Sequence, residues 1–123
     1  MIAHAIKSHE HHARCFSWFY AQSRDFATCA VTEETLLRLY MMKAADNSAV
    51  AAWQTLSQLR RMQGHQFRDA GFSYEDVRHQ NVSGHRQVTD AWLAELSRKR
   101  GGRLATLDGG LVLAHADVAD LVP

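Results

Sequence analysis

Proline is almost missing from this chain: the single Pro is Pro123, the last of 123 residues. No Pro-rich linker, low-complexity stretch or internal repeat interrupts the sequence, so a single domain over residues 1–123 is expected. Cysteine is scarce as well. Cys15 and Cys29 form no CxxC motif and no disulfide framework, and they read as free thiols in a reducing compartment. No apolar run is long enough to span a bilayer. The opening Met-Ile-Ala-His-Ala-Ile-Lys is too short, and too broken by His4, to be a signal peptide, which implies a cytoplasmic protein and no membrane partner. Charge of one sign is also lacking: the net charge is +1. With no global basic excess, contact with nucleic acid has to rest on a local patch.

What is present is globular in proportion, with 46% hydrophobic and 22% charged residues. A helix is expected over residues 8–22, capped by Ser8, with Ala13, Phe16 and Tyr20 on one side. Residues 26–31 read as a short, largely buried strand. Thr32 then caps a helix whose stripe is Leu36, Leu37, Tyr40 and Met41. Asp46-Asn47-Ser48 breaks that helix, and Ser48 caps the next, with Ala49, Ala52, Trp53, Leu56 and Leu59 as its apolar face and Gly64 as its end. Residues 65–68 suggest a short strand, and a loop continues to Val82. The last third is the most regular: a helix over 85–100 lined by Val88, Trp92, Leu93 and Leu96, a stop at Gly101-Gly102, a strand over 103–107, and a final strand over 118–122. Helices alternating with short apolar strands indicate an α/β layer fold with a parallel sheet.

Three acidic residues stand where chemistry is possible. Asp108 follows a strand directly and precedes two glycines, and parallel α/β sheets bind ligands beyond the carboxyl ends of their strands. The same Asp-Gly-Gly also reads as a turn with the Asp as a cap. Asp90 lies near the start of its helix, where the dipole keeps a carboxylate ionised, and it projects away from the apolar stripe. Glu33 lines up with Leu36, Leu37 and Tyr40, a costly place for a carboxylate unless it is paired or binds a metal; alternatively it is a first-turn acid stabilised by the dipole. If these carboxylates converge, oxygen donors of this kind suit Mg²⁺ or Mn²⁺. Gly84-His85-Arg86-Gln87 collects donors at a helix start, which suits phosphate contact, unless the loop caps itself. Arg98, Lys99, Arg100 and Arg103 form a basic run open to the RNA backbone or to helix capping. His4, His9, His11 and His12 raise the separate possibility of a His-rich metal-binding protein, although no HExxH motif is present.

The segment Gly84-His85-Arg86-Gln87-Val88-Thr89-Asp90-Ala91-Trp92-Leu93, followed by Gly101-Gly102-Arg103-Leu104-Ala105-Thr106-Leu107-Asp108, resembles the C-terminal signature of VapC-type PIN-domain ribonucleases. Weaker similarity runs back through Ala27-Thr28-Cys29-Ala30-Val31-Thr32-Glu33 and Ser8-His9-Glu10-His11-His12-Ala13-Arg14. The resemblance implies a PIN-like three-layer α/β/α fold with a short parallel sheet. It also implies a metal-dependent endoribonuclease, the toxin of a type II toxin–antitoxin system, with Glu33, Asp90 and Asp108 at a Mg²⁺ (or Mn²⁺) site and His85, Arg86 and Gln87 on RNA. An antitoxin and a homodimer are the implied protein partners. The family opens with a central strand ending in an Asp, whereas Met1-Ile2-Ala3-His4-Ala5 matches residues just after that motif. The expectation is that the first strand is missing from this sequence, either because the true start lies upstream or because the chain is a truncated relative. The alternative function is a catalytically impaired relative that binds antitoxin or RNA without cleaving.

Overall fold

Parallel strands cannot be joined by a tight turn, and each strand pair in this protein is bridged by helix. The computed structural model describes residues 25–69 and 71–123, with 17, 18 and 21. The chain divides into two compact units, Met1–Asp69 and Ala70–Pro123. Residues 17, 18 and 21 are helical. The rest of the helix expected over 8–22 lies outside the described residues, as do Cys15, the cluster His4, His9, His11 and His12, and the segment on which the missing-strand expectation rests.

In the first unit, β1 (Phe26–Thr28) pairs in parallel with β2 (His65–Phe67), Phe26 opposite His65 and Thr28 opposite Phe67. Helices α1 (Ala30–Lys43) and α2 (Ala49–Arg60) make the crossover. The strand expected over 26–31 is cut to three residues because Cys29 leaves it to become the N-cap of α1. Thr32 is therefore not the cap. It sits one turn in and accepts the Cys29 backbone N–H on its Oγ1 at 2.9 Å, the reciprocal half of a capping box. Ser48 caps α2 as expected, its Oγ accepting the Ala51 N–H at 3.1 Å. The buried face of α2 is narrower than the sequence suggests. Ala52 and Leu59, two turns apart, are buried, while Trp53, one position round the helix, is 54% exposed. Leu36 and Cys29 are the other buried apolar side chains among the described residues of this unit. Gly64, with φ of 90°, takes the left-handed conformation that returns the chain into β2.

In the second unit a short 3₁₀ turn (Tyr74–Asp76), capped by the Ser73 hydroxyl, lies within the expected loop. The helix expected over 85–100 starts as a second 3₁₀ turn (His85–Gln87) and continues as α3 (Val88–Arg100). Gly101, at φ 66°, stops it. Strand β3 (Leu104–Thr106), helix α4 (Gly109–Ala114) and strand β4 (Ala119–Leu121) follow, with β3 and β4 parallel and Leu104 opposite Ala119. The core includes Val77, Ala91, Trp92, Ala94 and Leu96, with Leu111, Val118, Ala119 and Val122. Val88, expected on the apolar stripe, is 43% exposed because the stripe is centred three to four residues further on, at Ala91 and Trp92. The α/β class with short parallel strand pairs is thus the observed one. No helix among the described residues is long and apolar enough to cross a membrane.

One buried acid determines how this unit closes. Glu95 is buried within α3, and its Oε1 accepts the Arg78 backbone N–H at 3.1 Å and Arg98 Nη1 at 3.3 Å. Arg98 in turn grips Asp117 through Nε (2.6 Å) and Nη2 (2.9 Å). Arg103 makes a matching two-pronged contact with Asp120 at 2.6 and 2.8 Å, but at the surface. Burial therefore separates two pairs of like geometry. Arg98→Ala, which leaves Glu95 undercompensated, is expected to cost about 3 kcal/mol in urea unfolding. Arg103→Ala is expected to cost less than about 1 kcal/mol.

Candidate functional site

The carboxyl end of β3 delivers Asp108 to the start of α4. There it does what an Asp before two glycines was expected to do as a cap: Oδ1 accepts the Gly110 N–H at 2.8 Å and, more weakly, the Leu111 N–H at 3.4 Å. Gly110 leaves room for the cap: an added Cβ would stand a tight 3.2 Å from Oδ1. Capping uses one oxygen only. Asp108 is exposed, and its Oδ2 takes no hydrogen bond among the described residues.

Asp90, in the first turn of α3, is half-buried, and its side chain makes no hydrogen bond among the described residues. Its pKa is pushed up, first by burial and then by the negative charge of Asp108, with His115 acting in the opposite direction. The expectation that the helix dipole keeps this carboxylate readily ionised is therefore corrected: desolvation and a like charge outweigh the dipole. His115 is buried, and its Nδ1 lies 3.1 Å from Arg98 Nη2. A guanidinium can only donate, so Nδ1 accepts and the ring proton sits on Nε2. Burial, reinforced by Arg98, lowers the His115 pKa and favours this neutral form.

Glu33 belongs to the first unit, where its side chain is 13% exposed and is paired, as its position on the apolar face demands. Thr28 Oγ1 donates to Glu33 Oε2 at 2.9 Å, and Arg60 Nε lies 3.7 Å from the same oxygen. His65 Nε2 is 2.8 Å from Thr28 Oγ1. Burial, and then the charge of Arg60, lowers the His65 pKa, with Glu33 opposing.

The proposed RNA contacts divide. His85 and Arg86 are exposed at the turn that opens α3. Gln87 is not free for a ligand through its carbonyl oxygen, which accepts the Ser83 N–H at 2.6 Å and the Ser83 hydroxyl at 3.0 Å, so here the loop caps itself. The basic run is also largely occupied: Arg98 and Arg103 are held by Asp117 and Asp120, and Lys99 Nζ lies 5.0 Å from the centre of the Phe72 ring. Sequence reasoning singled out neither His115 nor the Thr28–His65 pair. Nothing local marks them, because their partners are distant in the chain.

Among the described residues, no group of three or more His, Cys, Asp or Glu side chains is assembled as a ready-made metal cage. What the second unit offers is a pair of hard oxygen donors, Asp90 and Asp108, whose charges disfavour each other. That suits a cation such as Mg²⁺, which keeps several of its own waters and takes few protein carboxylates. The strain in the pair yields a stability prediction. A carboxyl whose folded-state pKa is raised costs stability once ionised, so the penalty is present at neutral pH and vanishes as the pH falls below the unfolded-state value. In chelator at pH 7, Asp90→Asn is expected to melt a few degrees above the wild type, and the difference is expected to disappear near pH 3 in a thermal melt.

No family model matches the chain. No solved structure matches it significantly. Curated proteins do. Ribonuclease VapC29 of Mycobacterium tuberculosis is 41% identical over 123 residues, spanning 100% of this chain and 91% of that protein. Ribonuclease VapC38 of the same organism is 39% identical over 115 residues (90% and 82%), and Ribonuclease VapC39 is 33% identical over 119 residues (90% and 85%). Identity of this extent over nearly the whole length, together with the strand-end Asp108 and the helix-start Asp90, shows that the chain belongs to the VapC-type PIN-domain ribonuclease family.

Proposed function

We propose that this protein is a metal-dependent endoribonuclease, the toxin of a toxin–antitoxin pair acting in the cytoplasm. Its Mg²⁺ or Mn²⁺ is held by Asp90 and Asp108, with Glu33 contributing a further carboxylate on the family resemblance. The observation that carries the reading is the placement of two acids in one unit, Asp108 at the end of β3 and Asp90 in the first turn of α3, where the charge of Asp108 adds to burial in raising the Asp90 pKa. Such a pair is unstable by itself and gains from a bound divalent ion. When bound, the ion supplies positive charge and Lewis acidity against a phosphodiester.

The chain's own residues do the remaining work. Asp108 is fixed by its cap through Oδ1 and presents Oδ2 outward. Asp90, half-buried and without a hydrogen-bond partner among the described residues, is open to a cation on its side-chain oxygens. The exposed His85 and Arg86 at the start of α3 are placed to meet RNA phosphates. An RNA substrate, a protein antitoxin and a homodimer complete the reading by family resemblance. Nothing among the described residues favours the non-cleaving alternative.

The test is cleavage of a structured RNA by the purified protein in Mg²⁺ or Mn²⁺. Asp90→Ala and Asp108→Ala are expected to lower the rate at least about a hundredfold, and Arg86→Ala to act mainly on KM. Cleavage that persists in chelator, or in both Asp variants, defeats the reading.

A further inference from the structure

Glu33 is the third family acid, and the structure surrounds one of its two oxygens with a chain of hydrogen bonds that the family assignment leaves unused. Thr28, the last residue of β1, is 4% exposed, and its hydroxyl donates to Glu33 Oε2 at 2.9 Å. A hydroxyl has one proton. With that proton on Glu33, the 2.8 Å contact between Thr28 Oγ1 and His65 Nε2 has to run the other way, from Nε2–H to the hydroxyl oxygen. The proton direction along His65, Thr28 and Glu33 is then set throughout.

His65 is itself held in place. It opens β2, directly paired with β1, and its ring meets Phe26 edge-on with centres 5.2 Å apart. Strand pairing therefore positions the donor, the donor orients the hydroxyl, and the hydroxyl occupies Oε2. Both contacts, from Thr28 and Arg60, fall on Oε2 and none among the described residues on Oε1, which leaves Oε1 the oxygen available to a ligand.

We propose that Thr28 and His65 are positioning residues that hold the Glu33 carboxylate in one orientation for a divalent cation. The inference rests on the function proposed above. A buried hydroxyl supplied by the neighbouring strand costs less entropy at binding than a carboxylate free to rotate, and outer partners of this kind commonly tune metal affinity by about 10- to 100-fold. Arg60, 3.7 Å from Oε2 and stacked over Phe67 at 5.2 Å, marks the same oxygen as the one turned toward protein.

The experiment measures Mn²⁺ affinity of the full chain by titration calorimetry, with free Mn²⁺ followed by electron paramagnetic resonance. Thr28→Val keeps the shape and removes the hydroxyl, and it is expected to weaken binding about tenfold or more. Thr28→Ser restores the hydroxyl and is expected to recover most of the affinity, a rescue that a purely packing role does not predict. His65→Phe keeps a ring against Phe26 but removes the donor. It is expected to weaken binding in the same direction, and it decides the question if Thr28→Val does not fold. Folded Thr28→Val and His65→Phe with wild-type affinity, alongside binding lost in Asp108→Asn, overturn this inference and leave the proposed function standing. No Mn²⁺ binding by the wild type defeats the proposed function, and this inference with it.

Discussion

The second unit is organised around the Arg98 guanidinium. It satisfies three other groups at once: the buried Glu95 one turn earlier in α3, Asp117 in the connection to β4, and His115 at the end of α4. A carboxylate as buried as Glu95 is tolerated only when paired and hydrogen-bonded. Arg98 supplies that pairing and ties α3 to the segment between α4 and β4. The Arg78 backbone, also bound to Glu95, brings the preceding loop onto the same point. The helix that carries Asp90 and the segment that carries His115 are thereby fixed with respect to each other.

That fixation gives the acid pair its character. The backbone of Asp90 is held by a helix anchored further along by Glu95 and Arg98. Asp108 cannot move without uncapping α4. Both acids are retained in a field that raises the pKa of Asp90, so some stability is given up at a place where a cation would restore it. His115, whose pKa is lowered by burial and by Arg98, adds a polar group nearby. In the first unit Glu33 is treated differently: its charge is met by a hydroxyl and by a more distant Arg, both on one oxygen.

Much of the architecture was legible because it depends on short-range chemistry. Ser48 before an apolar helix, Gly101 after one, and Asp108 between a strand and two glycines each have a local physical meaning, and each holds in the structure. Where local rules compete, the sequence misleads. Thr32 is a good cap by type, but Cys29 takes the cap because β1 ends at Thr28, and Thr32 then completes the capping box from within. Trp53 is apolar and in phase with its neighbours, yet it lies just outside the face defined by Ala52 and Leu59. The site's supporting contacts were beyond reach for a different reason. Thr28 and His65 are 37 residues apart, and Arg98 and His115 are 17 apart. No periodicity joins such pairs; only strand register and helix placement do. The resemblance pointed to the acids, and the fold shows what surrounds them.

The central claim is that Asp90 and Asp108 sense each other and that a divalent cation relieves the tension. Its most direct test is the titration of the Asp90 side-chain carboxyl carbon by nuclear magnetic resonance, in the wild type and in Asp108→Asn, with and without Mg²⁺. The account predicts that Asp90 titrates above the ordinary Asp range in the free wild type, and that its midpoint falls both when Asp108 is neutralised and when Mg²⁺ is added. An Asp90 that titrates at the ordinary value and responds to neither change would contradict it.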